Sequence, residues 1–395
     1  MKSSVENKKQ ILILVSRFPY PLDKGDKLRA FHQLKELSKS FDVTLFALSD
    51  QEVSAEHKEI VQKYCAHIVV HQQTMIQIAW NTFKSFFNSS PFQVGYFYST
   101  KAHRAVKNLI KDNGYKHIYC QLIRMSEYVK DEHSIPKTID FQDALSAGIQ
   151  RRVEKQPFYK KWLFKSEAKR LRAYESKMFD FFENKTIISQ QDRLLILHPE
   201  ASKIRCVPNG IDASFFEKSP IEKTHDFLFI GNMSYPPNIE AVTYIHNNLL
   251  PHFPQSKLLI SGSSPTSEVI KLSETSDQVD VTGWVDDIRS SYQRGKIFVA
   301  PMMLGTGMQN KLLEAMAMGI PCITTNLANA PIRTTHKKEI LVANDELEFV
   351  SSIKQLLNNH ELYGKIQQNA SAFVRDEYSW EKATSELIEL IHNPL

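Results

Sequence analysis

Short apolar runs alternate with helical patterns along most of this chain, and this alternation limits the fold more than any other feature. Ile11–Ser16 is a continuous apolar run, as expected of a β-strand buried on both faces. Leu28, Phe31, Leu34 and Leu37 then recur at helical spacing. Further strand candidates follow the same rhythm: Val43–Ala47, Ile68–Val70, His117–Gln121, Lys137–Phe141 and Lys185–Ser189. The rhythm predicts a parallel sheet covered by helices.

A second run of the same rhythm begins near Asp226. Its strand candidates are Phe227–Gly231, Lys257–Ser261, Val279–Thr282, Lys296–Ala300 and Pro321–Thr325. The chain has 395 residues, which fits two domains at roughly 100–200 residues per domain. We therefore predict two α/β domains joined near Val207–Asp212, followed by an amphipathic helix over Ser379–Ile391.

Composition argues against several classes of function. The formal net charge of +5 suits a phosphorylated ligand or an anionic membrane face and does not by itself indicate nucleic acid. The four cysteines are widely spaced and the 14 histidines form no HExxH pattern, so we expect reduced thiols and no metal site. No apolar run approaches the ~18 residues of a membrane span. The apolar run after Lys9 is too short for a signal peptide, and we expect a cytoplasmic protein.

The stretch from about Ile149 to Phe182 differs from its surroundings. It is predicted to be one long helix, and it combines basic and aromatic residues, which are Arg151, Arg152, Lys160, Lys161, Lys165, Lys169, Arg170, Arg172, Phe158, Tyr159, Trp162 and Phe164. Lys and Arg beside Trp and Phe suit anionic headgroups. The alternative is a solvated helix whose aromatic residues lie in the core. The sequence leaves both interpretations open.

Leu304–Pro321 carries the most chemical information. A predicted strand leads into a Gly305-Thr306-Gly307 loop, and a helix follows. The free N–H groups and the positive dipole end at a helix start favour a phosphate. Lys311 and Glu314 share one helix face and lean toward that loop. A lysine can pair with a phosphate, and a carboxylate can accept two ribose hydroxyls. The alternative is an ordinary βα unit with a surface ion pair.

Several segments, in order, resemble family 4 glycosyltransferases. Besides Leu304–Pro321, these are Val207–Asp212 (VPNGID), Phe229–Met233 with Pro237-Asn238, Val281–Val285 with Asp287-Ile288, and Tyr378–Trp380. In the N-terminal half, Arg17–Pro21 with Asp23–Asp26 and Arg29, and Asp140-Phe141 with Asp143 and Ser146, resemble sugar transferases of bacterial exopolysaccharide clusters. Four or five motifs over about 170 residues are far more specific than one Gly-x-Gly loop.

The resemblance implies the GT-B fold, an α/β architecture of two Rossmann-like domains whose parallel sheets face each other across a cleft. Residues 1–206 would form the acceptor-binding domain and residues 207–378 the nucleotide-sugar domain, with 379–395 as a C-terminal helix packing back toward the first. Lys311 and Glu314 are the candidate catalytic residues: Lys311 would stabilise the leaving diphosphate and Glu314 would anchor the ribose. The candidate donor-binding residues are Gly231, Asn232, Val285, Gly305, Thr306, Gly307, Met308, Lys311 and Glu314.

On the acceptor side, the candidates are Gly25, Asp26, Arg29, Arg124 and Asp143. For Gly25, an ordinary strand-to-helix turn is the alternative. The chain departs from the family twice. Thr306 stands where a first glutamate is common, and after Gly231 no Lys or Arg follows until Lys257. We therefore expect the diphosphate to depend more on Lys311 and backbone N–H groups, with help from Arg124 or Arg29.

The implied activity is a retaining, metal-independent transfer of a hexose from a nucleoside-diphosphate sugar to a glycan or lipid-linked acceptor, in bacterial surface polysaccharide synthesis. No cofactor and no metal are expected, because protein cations and helix N-termini stabilise the leaving diphosphate. The expected partners are the donor, the acceptor and an anionic membrane surface, without nucleic acid. The protein would be cytoplasmic or peripheral at the inner face of the membrane. The alternatives are a non-catalytic scaffold and a nucleotide-sugar epimerase, both with the GT-B fold.

Overall fold

The structure is a computed structural model that describes residues 8–87, 90–153, 156–217, 221–303 and 308–393. The chain divides into two compact units. Unit 1 comprises the residues up to Asn209 together with a segment from Ala383 onward. Unit 2 is Gly210–Lys382.

Unit 1 is built around a parallel sheet in the order β3-β2-β1-β4-β5-β6-β7. Its strands are β1 (Lys9–Val15), β2 (Phe41–Ser49), β3 (His67–Gln72), β4 (His117–Gln121), β5 (Lys137–Asp140), β6 (Asn184–Ile187) and β7 (Arg205–Cys206). Its helices are α1 (Gly25–Ser40), α2 (Ala55–Gln62), α3 (Met75–Lys84), α4 (Phe92–Phe97), α5 (Thr100–Asp112), α6 (Leu145–Val153), α7 (Phe158–Phe179) and α8 (Gln190–Arg193). Short 3-10 helices cover Ile123–Tyr128 and Ala201–Lys203.

Both faces of this sheet are covered, as the continuous apolar run of β1 predicts. Leu12 and Leu14 belong to one buried cluster. Ile11, Ile13 and Val15 belong to another cluster. Because successive side chains of a strand point to opposite faces, β1 supplies both cores at once.

Unit 2 contains a second parallel sheet, in the order β10-β9-β8-β11-β12-β13. Its strands are β8 (His225–Ile230), β9 (Leu258–Ser261), β10 (Val279–Val281), β11 (Gly295–Ala300), β12 (Cys322–Thr324) and β13 (Leu341–Val342). Its helices are α9 (Pro236–Tyr244), α10 (Ser267–Thr275), α11 (Ile288–Arg294), α12 (Asn310–Ala317), α13 (Asn326–Asn329), α14 (Glu346–Asn358), α15 (His360–Glu377) and the start of α16 (Trp380–His392). Ala213–Phe216 and Leu250–His252 are 3-10 helices, and Ile245–Leu249 is a π-helix.

The sheet orders confirm the predicted α/β fold class with two parallel sheets. In each sheet the chain first builds strands toward one edge and then returns to build toward the other. The direction reverses between β1 and β4 in unit 1 and between β8 and β11 in unit 2. Open parallel sheets bind ligands just beyond the carboxyl ends of the strands at such a reversal. A ligand site is therefore expected at the residues that follow these four strands.

The single long helix predicted from about Ile149 to Phe182 is wrong. Two helices, α6 and α7, occupy this stretch, with Pro157 as the residue that precedes α7. Proline lacks a backbone N–H and disfavours a helical conformation in the residue before it. The basic aromatic segment therefore begins a new helix at Phe158 rather than continuing one.

Candidate functional site

The turn after β8 depends on glycine. The Gly231 N–H donates to Ser261 O at 3.0 Å, and a Cβ at Gly231 would lie 2.6 Å from Asn238 Nδ2. The buried Asn238, near the start of α9, donates its Nδ2 to Asn232 O at 2.9 Å. This bond draws the turn against the helix, and only glycine leaves room for it. Gly231 and Asn232 thus occupy a closely packed loop at the sheet reversal.

Lys311 reaches this same loop from α12. Its Nζ donates to Asn238 Oδ1 and lies 4.9 Å from the centroid of the Phe229 ring. Burial lowers the pKa of Lys311 to about 8, although the Glu314 carboxylate acts in the opposite direction. The direct contacts of the ammonium group, Asn238 and Phe229, are neutral, and a bound anion would stabilise its charge.

Glu314 lies one turn further along α12 and is held by Tyr292. The Tyr292 hydroxyl is close to Glu314 Oε2 at 2.8 Å and to Lys311 O at 3.1 Å. Burial raises the pKa of Glu314, while the Tyr292 hydrogen bond and Lys311 lower it in part. Tyr292 is fully buried in α11, so it fixes the carboxylate from within the core. Glu314 is only half-buried and can still meet a ligand.

The other donor-side candidates have less defined contacts. Met308 packs partly buried against the core of unit 2, and Val285 is half-buried in the loop after β10. Gly262, after β9, donates its N–H to Gly283 O at 3.0 Å, which links these loops. A Cβ on Gly262 would lie 1.9 Å from Gly231 O. Gly305, Thr306 and Gly307 lie outside the described residues.

In unit 1, Arg29 is the centre of a buried network. Its Nε donates to Asp140 Oδ2 at 2.6 Å, its Nη2 to Asp140 Oδ1 at 3.2 Å and its Nη1 to Asn209 Oδ1 at 2.9 Å. Tyr119 and Thr186 donate to the same carboxylate, at 2.9 and 3.1 Å. The Arg29 side chain is 0% exposed and has no surface to offer an acceptor. The hydrogen bonds of Arg29 hold Asp140 and Asn209 in position.

Asp26 and Arg124 come together beyond β1 and β4, and Arg17 joins them. Arg17 Nη1 pairs with Asp26 Oδ2, and Arg124 Nη1 lies 4.0 Å from the same oxygen. Both guanidinium groups lie over the Phe97 ring, at 5.2 and 5.0 Å from its centroid. Burial and the nearby Arg17 lower the pKa of Arg124 to about 10. Two cations thus share the carboxylate of Asp26.

Gly25 and Asp143 flank this cluster without closing on it. Gly25 begins α1 and is exposed, and a Cβ there would meet only Gln142 Nε2 at 4.0 Å, so the position does not require glycine. Asp143 is exposed after β5 and interacts electrostatically with Arg124. Leu122 and Gln142 follow β4 and β5 with φ of 65°, a conformation that costs roughly 1–3 kcal/mol and concentrates at functional sites.

Four side chains of these two sites were not identified from the sequence as site residues. Asn238, Tyr292 and Phe229 support Lys311 and Glu314, and Arg17 pairs with Asp26. Phe229, Asn238 and Arg17 fall within the recognised motifs, but nothing in those motifs shows that they contact the charged residues. Tyr292 lies outside the recognised motifs, of which Ile288 is the nearest member, and only tertiary packing brings its hydroxyl to Glu314.

Among the residues that the structure describes, no group of three His, Cys, Asp or Glu side chains is placed to hold a metal ion. Within the same described ranges, no helix combines the length and the apolar character that crossing a membrane requires.

Known proteins resemble this chain in sequence and in structure. Residues 224–359 match the family model for group 1 glycosyl transferases. This part of the chain is therefore a group 1 glycosyl transferase domain. The match covers β8 to α14 and so includes Gly231, Tyr292, Lys311 and Glu314, which confirms the resemblance seen in the motifs.

Two sequence relatives support this assignment. A 44.6 kDa protein in the cps region of Klebsiella pneumoniae is 25% identical over 409 aligned positions, covering 96% of this chain and 99% of the relative. An Escherichia coli UDP-Gal:alpha-D-GlcNAc-diphosphoundecaprenol alpha-1,3-galactosyltransferase is 27% identical over 187 positions, covering 41% of this chain and 47% of its own length. The cps-region relative supports the predicted resemblance to proteins of polysaccharide gene clusters.

Solved structures establish the fold independently. Anabaena HepE in complex with UDP and glucose aligns with a TM-score of 0.65 at 14% identity, covering 97% of this chain and 99% of that one. At this identity the likeness shows the fold alone, and with the two parallel sheets it confirms GT-B as the fold class. The best-supported candidate site therefore lies in unit 2, which contains the matched residues.

Proposed function

We propose that this glycosyltransferase moves a hexose from a nucleoside-diphosphate sugar to a glycan or lipid-linked acceptor, with retention of anomeric configuration and without a metal ion. The observation that carries the proposal is the convergence of Lys311, Asn238 and the Gly231 turn at the reversal between β8 and β11. A cation with a lowered pKa stands there within reach of a tight glycine turn. Glu314 stands beside it.

The two charged residues of α12 have separate roles in this proposal. Lys311 stabilises the negative charge that develops on the leaving diphosphate, and it compensates for the lack of another Lys or Arg soon after Gly231. Glu314 accepts hydrogen bonds from the ribose hydroxyls, with Tyr292 holding the carboxylate in place. Gly305–Gly307 would add backbone N–H groups to the diphosphate. Retention rests on the resemblance of the motifs to family 4 enzymes.

Uridine is the base that the comparisons favour. HepE was solved with UDP, and the Escherichia coli relative is named as a UDP-Gal-dependent enzyme. That name also includes a diphosphoundecaprenol acceptor. We propose a phosphate-bearing, lipid-linked acceptor for this chain, with the Arg17 and Arg124 guanidinium groups beside Phe97 as its anion contact. Such an acceptor would put the enzyme at the inner face of the membrane.

A panel of UDP, GDP, ADP and dTDP in thermal-shift measurements tests the donor site. UDP should raise the melting temperature most, by mass action on the folded state. Incubation of the matching sugar donor with lipid-diphosphate acceptor in EDTA should still yield product, whose anomeric coupling in NMR should show retention. Loss of turnover in chelator, restored by Mn²⁺ or Mg²⁺, would contradict the metal-independent mechanism.

The same experiment separates the rival functions. A nucleotide-sugar epimerase would convert the donor without any acceptor, and a scaffold protein would bind nucleotide weakly or not at all. The retained pair Lys311 and Glu314, each with a dedicated buried partner, favours a working donor site over a scaffold.

A further inference from the structure

Helix α3 packs on unit 1 through Ile78 and a few polar side chains. Asn81 Nδ2 donates to Tyr98 O at 2.7 Å, and Ser85, just after the helix, is buried. Within α3, Ile78 is the one side chain described as buried. A surface helix normally turns its apolar stripe toward the core. The inverted arrangement leaves the apolar stripe of α3 facing outward.

The outward face is a continuous aromatic and aliphatic stripe. Ile76, Trp80, Phe83 and Phe87 follow one another at spacings of four, three and four residues, which places them on one side. The Trp80 and Phe83 rings stack at 6.1 Å and the Phe83 and Phe87 rings meet at 5.1 Å. Ile76 is 82% exposed and Phe87 78% exposed. Contiguous exposed apolar patches mark protein or membrane interaction sites.

The start of α7 presents a second face of similar design. Phe158, Trp162, Lys165 and Lys169 recur at spacings of four, three and four residues, so they share one side of the helix. Phe158 is 87% exposed and Trp162 is 63% exposed. The alternative that these aromatic side chains lie in the core is therefore wrong for Phe158, Tyr159 and Trp162, which are all exposed.

The two faces are physically joined. Arg170 of α7 donates to Ser85 O at the end of α3 and, at 3.3 Å, to Ser90 O. Its guanidinium lies 4.7 Å from the Phe92 centroid, and Phe92 contacts Phe86 at 4.5 Å. We call the combined area, from Ile76 to Phe87 and from Phe158 to Lys169, the α3–α7 surface.

The two segments that form this surface are rich in basic residues. From Ile60 to Lys111 the chain contains Lys and Arg but no Asp or Glu. Between residues 156 and 173 it contains six bases and a single acid, Glu167. Glu167 is buried and accepts from the backbone N–H groups of Phe92 and Gln93. An apolar stripe flanked by an excess of bases is complementary to an anionic lipid surface.

We propose that the α3–α7 surface docks this glycosyltransferase on anionic lipid membranes. The side chains of Trp80, Phe83, Phe87 and Trp162 enter the interfacial layer, where Trp and other aromatic residues are favoured. Lys165 and Lys169 meet the anionic headgroups. Docking through this surface would bring the enzyme to the membrane that holds the proposed lipid-linked acceptor. It does not depend on the donor chemistry in unit 2.

Sedimentation with vesicles tests the docking surface. The full chain is mixed with phosphatidylcholine vesicles that contain, or lack, about one-third phosphatidylglycerol. One variant combines Trp80→Ser, Phe83→Ser and Phe87→Ser, and another combines Lys165→Glu and Lys169→Glu. Matched controls change exposed residues of unit 2: Ile270→Ser with Leu347→Ser, and Lys271→Glu with Lys354→Glu.

The native chain should sediment with the anionic vesicles, and added salt should weaken this binding, because the Debye length falls from about 8 Å. Each α3–α7 variant should lose roughly tenfold or more in vesicle partitioning, whereas the unit 2 controls should match the native chain. UDP binding without lipid should be unchanged in all variants, which shows that the fold and the donor site are intact.

Two results would overturn the proposal. One is native-like sedimentation of the α3 variant, checked with the single variant Phe87→Asp, which lies beyond the end of the helix and disturbs folding least. The other is failure of the native chain to bind anionic vesicles while it runs as a dimer that the α3 variant converts to monomer. That outcome would assign the surface to a second copy of the chain.

Discussion

The two sheets reverse direction in the same way, yet they use their charged residues differently at the reversal. In unit 1, Arg29 and Asp140 neutralise each other completely inside the core. Burial opposes the charge of Arg29, but Asp140 and Tyr119 outweigh it and raise its pKa. In unit 2, Lys311 is held by an amide oxygen and an aromatic ring, and burial lowers its pKa to about 8.

This difference separates a structural charge from an available one. A buried ion pair has satisfied its charges and offers nothing to a ligand, and removing one partner exposes the full desolvation cost of the other. A lysine whose direct contacts are neutral keeps a positive charge that no direct partner balances. A bound diphosphate can balance that charge. The comparison explains why the motif residues of unit 2 are the better candidates for chemistry than Arg29.

The largest expected effect falls on the buried pair. Asp140→Asn leaves the Arg29 charge without its partner, and we expect a loss of about 3–5 kcal/mol in the free energy of unfolding. Urea titration followed by circular dichroism measures this loss. Glu200→Gln removes the solvent-exposed pair with Lys203 and should leave the midpoint unchanged. A small effect of Asp140→Asn would show that the pair is not the structural centre of unit 1.

A pH titration of donor affinity follows from the state of Lys311. The lysine is charged below its pKa of about 8, and a bound diphosphate stabilises the charged form. Affinity for a UDP-sugar should therefore fall roughly tenfold between about pH 7 and pH 9, with proton uptake on binding detectable by calorimetry in buffers of different ionisation heat. Lys311→Arg stays charged throughout this range, so its affinity should not follow that profile. The same fall in both proteins would exclude Lys311 as the titrating group.

The smallest effect is expected at Tyr292. Tyr292→Phe removes the hydrogen bond to Glu314 and keeps the ring, which packs against Phe298 at a centroid distance of 5.9 Å. Donor affinity should weaken by about 1 kcal/mol with little change in melting temperature. Tyr363→Phe removes a hydroxyl that donates to Lys296 O elsewhere in unit 2 and is the matched control. Equal donor affinity in Tyr292→Phe and the native chain would remove the positioning role.

Much of the fold could be predicted from the sequence, because buried parallel strands leave continuous apolar runs. The strands from β1 to β6 and from β8 to β12 all fall on predicted runs. The two-residue strands β7 and β13 do not, since two residues carry no periodicity. The order of the strands in each sheet could not be predicted from the apolar pattern, because it depends on which strands pair in space. The break before α7 was missed, although Pro157 provided the signal.

The candidate site was predicted less completely, for a physical reason. Lys311 and Glu314 are visible because their spacing along one helix is local. Their partners Asn238 and Tyr292 come from other helices, and tertiary packing alone joins them. Arg29 shows the opposite failure: a charged residue in a motif suggested a ligand contact, whereas its partner Asp140, 111 positions away, buries it completely.

Calorimetry with UDP and 2′-deoxy-UDP tests the central claim, that the α12 pair binds a nucleotide with Lys311 on the diphosphate and Glu314 on the ribose. The native chain should prefer UDP by roughly 1.5–3 kcal/mol, the value of charge-assisted hydrogen bonds. Glu314→Ala should bind both ligands alike, whereas Lys311→Met should weaken both and keep the preference. A Glu314→Ala protein that still discriminates as the native chain does would contradict the ribose assignment and the account built on it.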